Sequence, residues 1–305
     1  MTVPTKFINS YDIIVVGAGP AGMFVAHRLL RNVCGQKIAI IEKGKPARER
    51  NREKPISTIN ELEIHDLVSG AGGAGLFSDG KLILSLNAGG KASNVFSGDM
   101  EKKYLSYIEN TLVQLDGYSV PFNLSESEMV IQEGAKINKL DYKPYNVRHI
   151  GTDNLRSVLV RFFDDIESNE NCNVFYECNV LSINNRSGRH TVTLRDKKGE
   201  LTILSATYVI FAVGKEGAHW LSSTLEEMGV RAFDNRTYIG VRLEVESKAC
   251  LPLSSADPKL FRVFDDGTNR FVPNDRSLID FVDEADRDGF IARIEDMRAN
   301  EDKGK

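Results

Sequence analysis

The stretch Tyr11-Asp-Ile-Ile-Val-Val-Gly17-Ala-Gly19-Pro20-Ala21-Gly22 decides how this chain folds. Four apolar residues, Ile13 to Val16, suit a central parallel strand covered on both faces. Three glycines follow at the spacing G-x-G-x-x-G. Gly17 permits a tight turn, Gly19 lets backbone approach a phosphate group, and Gly22 lets the next helix pack closely on the strand. Pro20 and Ala21 open that helix, whose N-terminal amides and dipole favour an anion. A second apolar strand, Lys37 to Ile41, ends at Glu42 and Lys43.

Strand, glycine turn, helix, strand and acid in this order predict a βαβ unit that grips an ADP moiety. Gly17, Gly19, Pro20, Ala21 and Gly22 would surround the pyrophosphate. Glu42 would accept hydrogen bonds from both ribose hydroxyls, with Lys43 at the same edge. A 2′-phosphate there would meet like charge, so FAD or NAD fits better than NADP.

The rest of the composition excludes several classes. With 305 residues, 41% hydrophobic and 27% charged, the chain has the make-up of a soluble globular protein with one large core or two smaller ones. A net charge of −4 gives no electrostatic reason to expect nucleic acid or an anionic membrane. Apolar runs are strand-length, so no membrane span is expected. Residues 1–10 are polar and too short for a signal peptide, which makes the cytoplasm the expected compartment. Cys34, Cys172, Cys178 and Cys250 form no CxxC pair and show no metal-ligand spacing. Free thiols and no metal are the expectation.

Further along, Gly70-Ala-Gly72-Gly73-Ala-Gly75-Leu-Phe-Ser78-Asp79-Gly80-Lys81-Leu82 holds five glycines in eleven residues. That density suits neither helix nor sheet interior. Because it runs straight into apolar residues, it reads better as a tight loop whose amides approach a ligand than as a linker. Met100, Tyr104, Ile108, Leu112 and Leu115 share one face of a helix over 99–115, read as core. A second helix over 153–166 turns Leu155, Val158, Leu159, Phe162 and Ile166 inward, with Thr152 or Asp153 as cap.

Short strands are expected at 173–176, 180–183, 190–194, 201–204 and 208–213, with turns at Arg186-Ser-Gly188 and Lys197-Lys198-Gly199. A helix over 218–228 follows, stopped by Gly229, and a last strand over 238–245. The charged end, 283–305, reads as a solvated tail. The whole predicts an α/β, Rossmann-like fold with a mostly parallel central sheet and an inserted second region. Its expected parts are 1–95, an insert over 96–150, 151–235, the start of a second domain over 236–282, and the tail.

The order of motifs resembles the glutathione-reductase-type FAD flavoproteins. Within them, Gly72-Gly73-Ala74-Gly75-Leu76-Phe77-Ser78-Asp79-Gly80-Lys81-Leu82 is similar to the GGAG(T/A)FSDGKL loop of a family of FAD-dependent dehydrogenases. Arg148-His149-Ile150-Gly151-Thr152-Asp153 and Ala212-Val213-Gly214, with Ile239-Gly240-Val241-Arg242 downstream, match two further family stretches. The resemblance covers roughly residues 11 to 246. It implies FAD as cofactor, on Gly17, Gly19, Gly22 and Glu42. It also implies adenine recognition by the backbone at Val180, and a close pass of Ala212, Val213 and Gly214 to the dinucleotide. Gly73 and Gly75, in the 72–82 loop, would lie nearer the isoalloxazine.

The implied activity is an FAD-dependent oxidoreductase of dehydrogenase type, moving hydride between an organic small-molecule substrate and flavin. NAD(P)H is a candidate reductant. No catalytic residue is assigned: Lys81 and Asp79 are candidates near the flavin, and His149 reads as a structural hydrogen-bonding group. The family's closing Gly-Asp strand-helix unit has no convincing counterpart, so the chain reads as C-terminally short, with an open flavin site that an oligomer or partner would complete. A degenerate FAD-binding module, a hydroxylase and a prenyl reductase are the competing readings.

Overall fold

A computed structural model describes residues 6–32, 35–50, 67–78, 80–84, 96–116, 120–121, 141–143, 147–186, 188–231, 259–263 and 269–270. Strand β1 (Lys6–Val16) runs parallel to β2 (Ile38–Ile41) on one side and to β10 (Leu201–Phe211) on the other. β7 (Cys172–Phe175) extends the parallel set beyond β2, while β9 (Arg189–Asp196) and β8 (Cys178–Arg186) add antiparallel strands beyond β10. The order is β7-β2-β1-β10-β9-β8, a mixed sheet whose centre is parallel.

Period-two alternation along β1 divides the core. Ile13 and Val15 face helix α1 (Pro20–Asn32) and helix α3 (Thr152–Glu167), joining Met23, Ala26, Val158, Phe162 and Ile166. Ile14 and Val16 face the other way, toward Val192, Leu194, Leu204 and Ala206, with Trp220 of helix α4 (Ala218–Glu227) packed alongside. The strand is covered on both sides, as its unbroken apolar run requires.

α3 buries each residue its pattern points inward, and Phe163 as well. Its cap differs from the expectation. The N-cap is Gly151, at φ 86° and ψ 149°, with no side-chain cap bond. Helix α2 (Gly98–Asp116) opens with Ser97 Oγ accepting from the Met100 amide at 3.4 Å. Its stripe is only partly core: Leu112 is buried and Ile108 and Leu115 pack on the core, but Met100 and Tyr104 are exposed.

The expected strands over 201–204 and 208–213 are one continuous strand, β10. Arg189 explains the join. Its guanidinium binds Ser205 Oγ, Thr207 Oγ1, Ser10 Oγ and Tyr11 O, satisfying the polar middle of β10 and the β1 edge beside it.

The chain divides into two units. One holds Met1–Leu82, Lys103–Val120 and His149–Asp234, including the six-stranded sheet. The other holds Ile83–Lys102, Pro121–Arg148 and Asn235–Lys305, with β5 (Asp141–Lys143), β11 (Lys259–Val263) and β12 (Asn269–Arg270) in the order β12-β11-β5. The chain passes between units within β3 (Lys81–Ile83), α2, β4 (Val120–Pro121) and β6 (Val147–His149), and again after Asp234. The strand expected at 238–245, with Ile239 to Arg242, and the tail over 283–305 lie outside the described residues.

Candidate functional site

The three glycines after β1 do different work. Gly17 takes φ +104°, and a Cβ there would stand 2.4 Å from Ala212 O. A Cβ on Gly22 would stand 1.9 Å from Gly17 O. Both are required by packing within the protein. Gly19 is open in front: among the described residues, the one heavy atom within 4 Å of its Cβ position is Gly73 Cα, at 3.8 Å. Bare backbone therefore faces free space beside the start of α1, and that is the fit a diphosphate needs. The Met23 amide makes the first intrahelical bond, to Gly19 O at 3.0 Å, so those of Ala21 and Gly22 precede it. α1 has no acidic residue in its first turn to offset the dipole.

Glu42, at the end of β2, is 6% exposed. Its Oε2 accepts from the Ala18 amide at 2.8 Å, and its Oε1 from the amides of Gly44 at 2.9 Å and Gly70 at 3.1 Å. A carboxylate has about four acceptor positions. Three backbone amides leave one, on Oε2, for a ribose hydroxyl, rather than the pair of bonds the sequence suggests. Lys43 pairs with Glu216, which also accepts from Ser69 Oγ. β1 lies between β2 and β10 in the sheet, so this pair reaches across the end of β1.

The glycine-rich loop packs on the glycine turn. Gly72 N donates to Ala18 O at 2.8 Å, and Gly73–Phe77 forms a short 3-10 helix. A Cβ on Gly73 would come within 3.1 Å of Gly19 Cα, and one on Gly75 within 3.6 Å of Pro20 Cγ. The amides of Gly70, Ala71, Gly72 and Gly73 bond Glu42, Lys45, Ala18 and Gly70. These four amides are turned into the protein. What the loop offers the site at Gly73 is close, side-chain-free backbone.

The structure thus gathers Gly17, Gly19, Pro20, Ala21, Gly22, Glu42, Gly73 and Gly75 in one place. Ala212 joins them, its amide bonded to Val16 O at 2.8 Å, with Val213 half-buried and Gly214 exposed at φ +65°. Val180 lies on β8, paired with Leu194 and two residues beyond Cys178, whose amide bonds Glu42 O at 3.0 Å. Lys81 is exposed on β3. Asp79 lies outside the described residues, as does the side chain of His149.

Sequence reasoning missed Arg50, Ser69 and Glu216. Each sits in a turn or loop without periodicity, so no pattern marked it. Among the described residues no group of His, Cys, Asp and Glu could hold a metal ion. Cys172 and Cys178 are free thiols. Burial, with Glu167 adding to it, pushes the Cys172 thiol up to about 12. Burial, then Asp196 and Glu177, raises Cys178. Both stay protonated near neutral pH and are poor nucleophiles.

Sheet order and glycine turn define an α/β dinucleotide-binding protein. Residues 12–50 match the FAD binding domain family, which indicates FAD as the nucleotide. The curated proteins contain no match to the chain. Among solved structures it is similar to a flavoprotein/dehydrogenase from Cytophaga hutchinsonii, at 18% identity and TM-score 0.38, covering 72% of this chain and 42% of that one. It is similar to E. coli quinol fumarate reductase FrdA, at 16% identity and TM-score 0.44, covering 70% and 34%. Glycine oxidase from Geobacillus kaustophilus follows at 14% and 0.38, covering 72% and 59%. The chain spans less than half the length of the first two. No helix among the described residues is long and apolar enough to cross a membrane.

Proposed function

We propose that this chain belongs to an FAD-dependent oxidoreductase of dehydrogenase type, with the glutathione-reductase-type order of motifs, acting on an organic small molecule in the cytoplasm. The observation that carries the reading is the open front of Gly19 beside the N-terminus of α1, in the segment that matches the FAD binding domain family. The loop from Gly72 to Leu82 supports the dehydrogenase type, and the free thiols support a reducing compartment.

FAD, when bound, supplies two-electron redox chemistry at its ring. The chain's own residues bind and orient it. Gly19 and the first turn of α1 would take the diphosphate, and the remaining acceptor position of Glu42 a ribose hydroxyl. The Val180 backbone and the turn from Ala212 to Gly214 would flank the nucleotide. NAD(P)H as reductant, and a second copy or partner that completes the flavin site, belong to the same proposal.

Denaturing the purified protein and chromatographing the released nucleotide tests the cofactor. A visible flavin spectrum that bleaches on anaerobic reduction and returns with an acceptor tests the redox function. Release of NAD alone, or a flavin that no substrate or reductant bleaches, would count against the reading.

A further inference from the structure

Arg50 is fully buried, and its guanidinium lies under the glycine loop. Nη1 donates to Ala71 O at 2.7 Å, to Gly73 O at 2.7 Å and to Gly70 O at 3.3 Å. The guanidinium carbon stands 5.2 Å from the centre of the Phe77 ring, at the far end of the same loop. Arg156 Nη2 donates to Arg50 O at 2.9 Å and fixes its backbone. A Cβ on Gly70 would stand 2.6 Å from Arg50 Cδ, so loop and side chain are moulded to each other.

The two ends of a peptide carry opposite partial charges. A loop beside an anion must therefore turn its carbonyl oxygens elsewhere. Gly73 is the loop residue that lies on Gly19, in front of which the diphosphate would sit. We propose that Arg50 is a positioning residue for that diphosphate. By drawing the oxygens of Gly70, Ala71 and Gly73 inward, it keeps their lone pairs out of the space before Gly19.

Arginine suits the task because its planar, weakly hydrated guanidinium stays charged when buried and sets Nη1 on the three oxygens while lying against the Phe77 ring, whereas lysine offers a strongly hydrated point charge. The inference rests on the dinucleotide reading of the site and adds a residue that does not touch the ligand.

The test compares a ligand that carries the diphosphate with one that lacks it. ADP and adenosine are bound to the full chain, read by calorimetry and ligand-observed NMR, with circular dichroism as the check on folding. In Arg50→Met the affinity for ADP falls by about tenfold or more, while adenosine binding stays within about twofold. Arg50→Lys recovers part of the ADP affinity. Equal losses for ADP and adenosine would show a merely structural role and overturn the proposal, as would unchanged ADP binding. If Arg50→Met does not fold, Arg50→Lys carries the same comparison: an ADP-selective loss supports the proposal, and an equal loss or none overturns it. A wild-type chain that binds neither FAD nor ADP overturns the dinucleotide reading, and this inference with it.

Discussion

Glu42 Oε2 accepts the Ala18 amide at 2.8 Å, tying the end of β2 to the glycine turn after β1. The other oxygen ties the same carboxylate to Gly44 and to the glycine loop at Gly70. An acid read from sequence as a ribose ligand is therefore also a staple for three turns. Glu42→Ala leaves three buried amides without their acceptor. At about 1–3 kcal/mol for each, it should lower unfolding free energy by about 3 kcal/mol or more, beyond any loss in cofactor affinity. Denaturant unfolding of the cofactor-free protein measures this directly. Unchanged stability with weakened FAD binding would reduce Glu42 to a ligand residue alone.

The glycines of the turn should separate by experiment. Gly19→Val adds a side chain to open space, so the protein should fold with near-wild-type stability yet retain no FAD. Gly22→Ala drives a methyl to 1.9 Å from Gly17 O and should destabilise the fold itself. Thermal unfolding and the flavin content of purified protein give the two readouts. Full flavin occupancy in a folded Gly19→Val variant would show that the diphosphate does not lie there.

Gly151 offers a test of backbone strain free of packing. It holds φ 86° and ψ 149° at the N-cap of α3, and a Cβ there meets nothing within 4 Å among the described residues. Gly151→Ala should therefore cost only the strain, about 1–3 kcal/mol. A denaturation midpoint equal to wild type would mean that the helix can start from another conformation.

What the sequence made legible follows from how each feature is encoded. The centre of β1, the inward face of α3 and the stop of α4 at Gly229 depend on local periodicity and glycine geometry, and the structure has them. Failures came where tertiary partners decide. Ser205-Ala206-Thr207 reads as a break between strands, yet Arg189 and the pairing with β1 carry β10 through it. Met100 and Tyr104 continue the α2 stripe but are exposed, since only the latter part of that helix meets the core. The site divides likewise. Its glycines and Glu42 follow a spacing, whereas Arg50 and Glu216 gain their roles from loops that meet only in the fold.

His27 of α1 is buried between Tyr107 of α2 and Asp165 and Phe162 of α3. Its Nδ1 lies 2.6 Å from Tyr107 Oη, and its Nε2 lies 3.4 Å from Asp165 Oδ2. Arg31 binds the same carboxylate through two bonds of 3.0 Å, and Arg28 stacks on the Tyr107 ring. Burial lowers the His27 pKa below its ordinary 6.5, and Arg31 adds to the shift, while Asp165 opposes it. The neutral ring is thus the form the fold holds. As pH falls through about 6.5, the unfolded chain takes up a proton that the folded chain resists, so stability drops. Urea unfolding at pH 7.5, 6.5 and 5.5 should show wild type losing more stability toward acid than His27→Gln, which has no proton to gain. Parallel pH profiles for the two proteins would mean that Asp165 cancels the cost of burial, and that His27 holds the three helices together in either charge state.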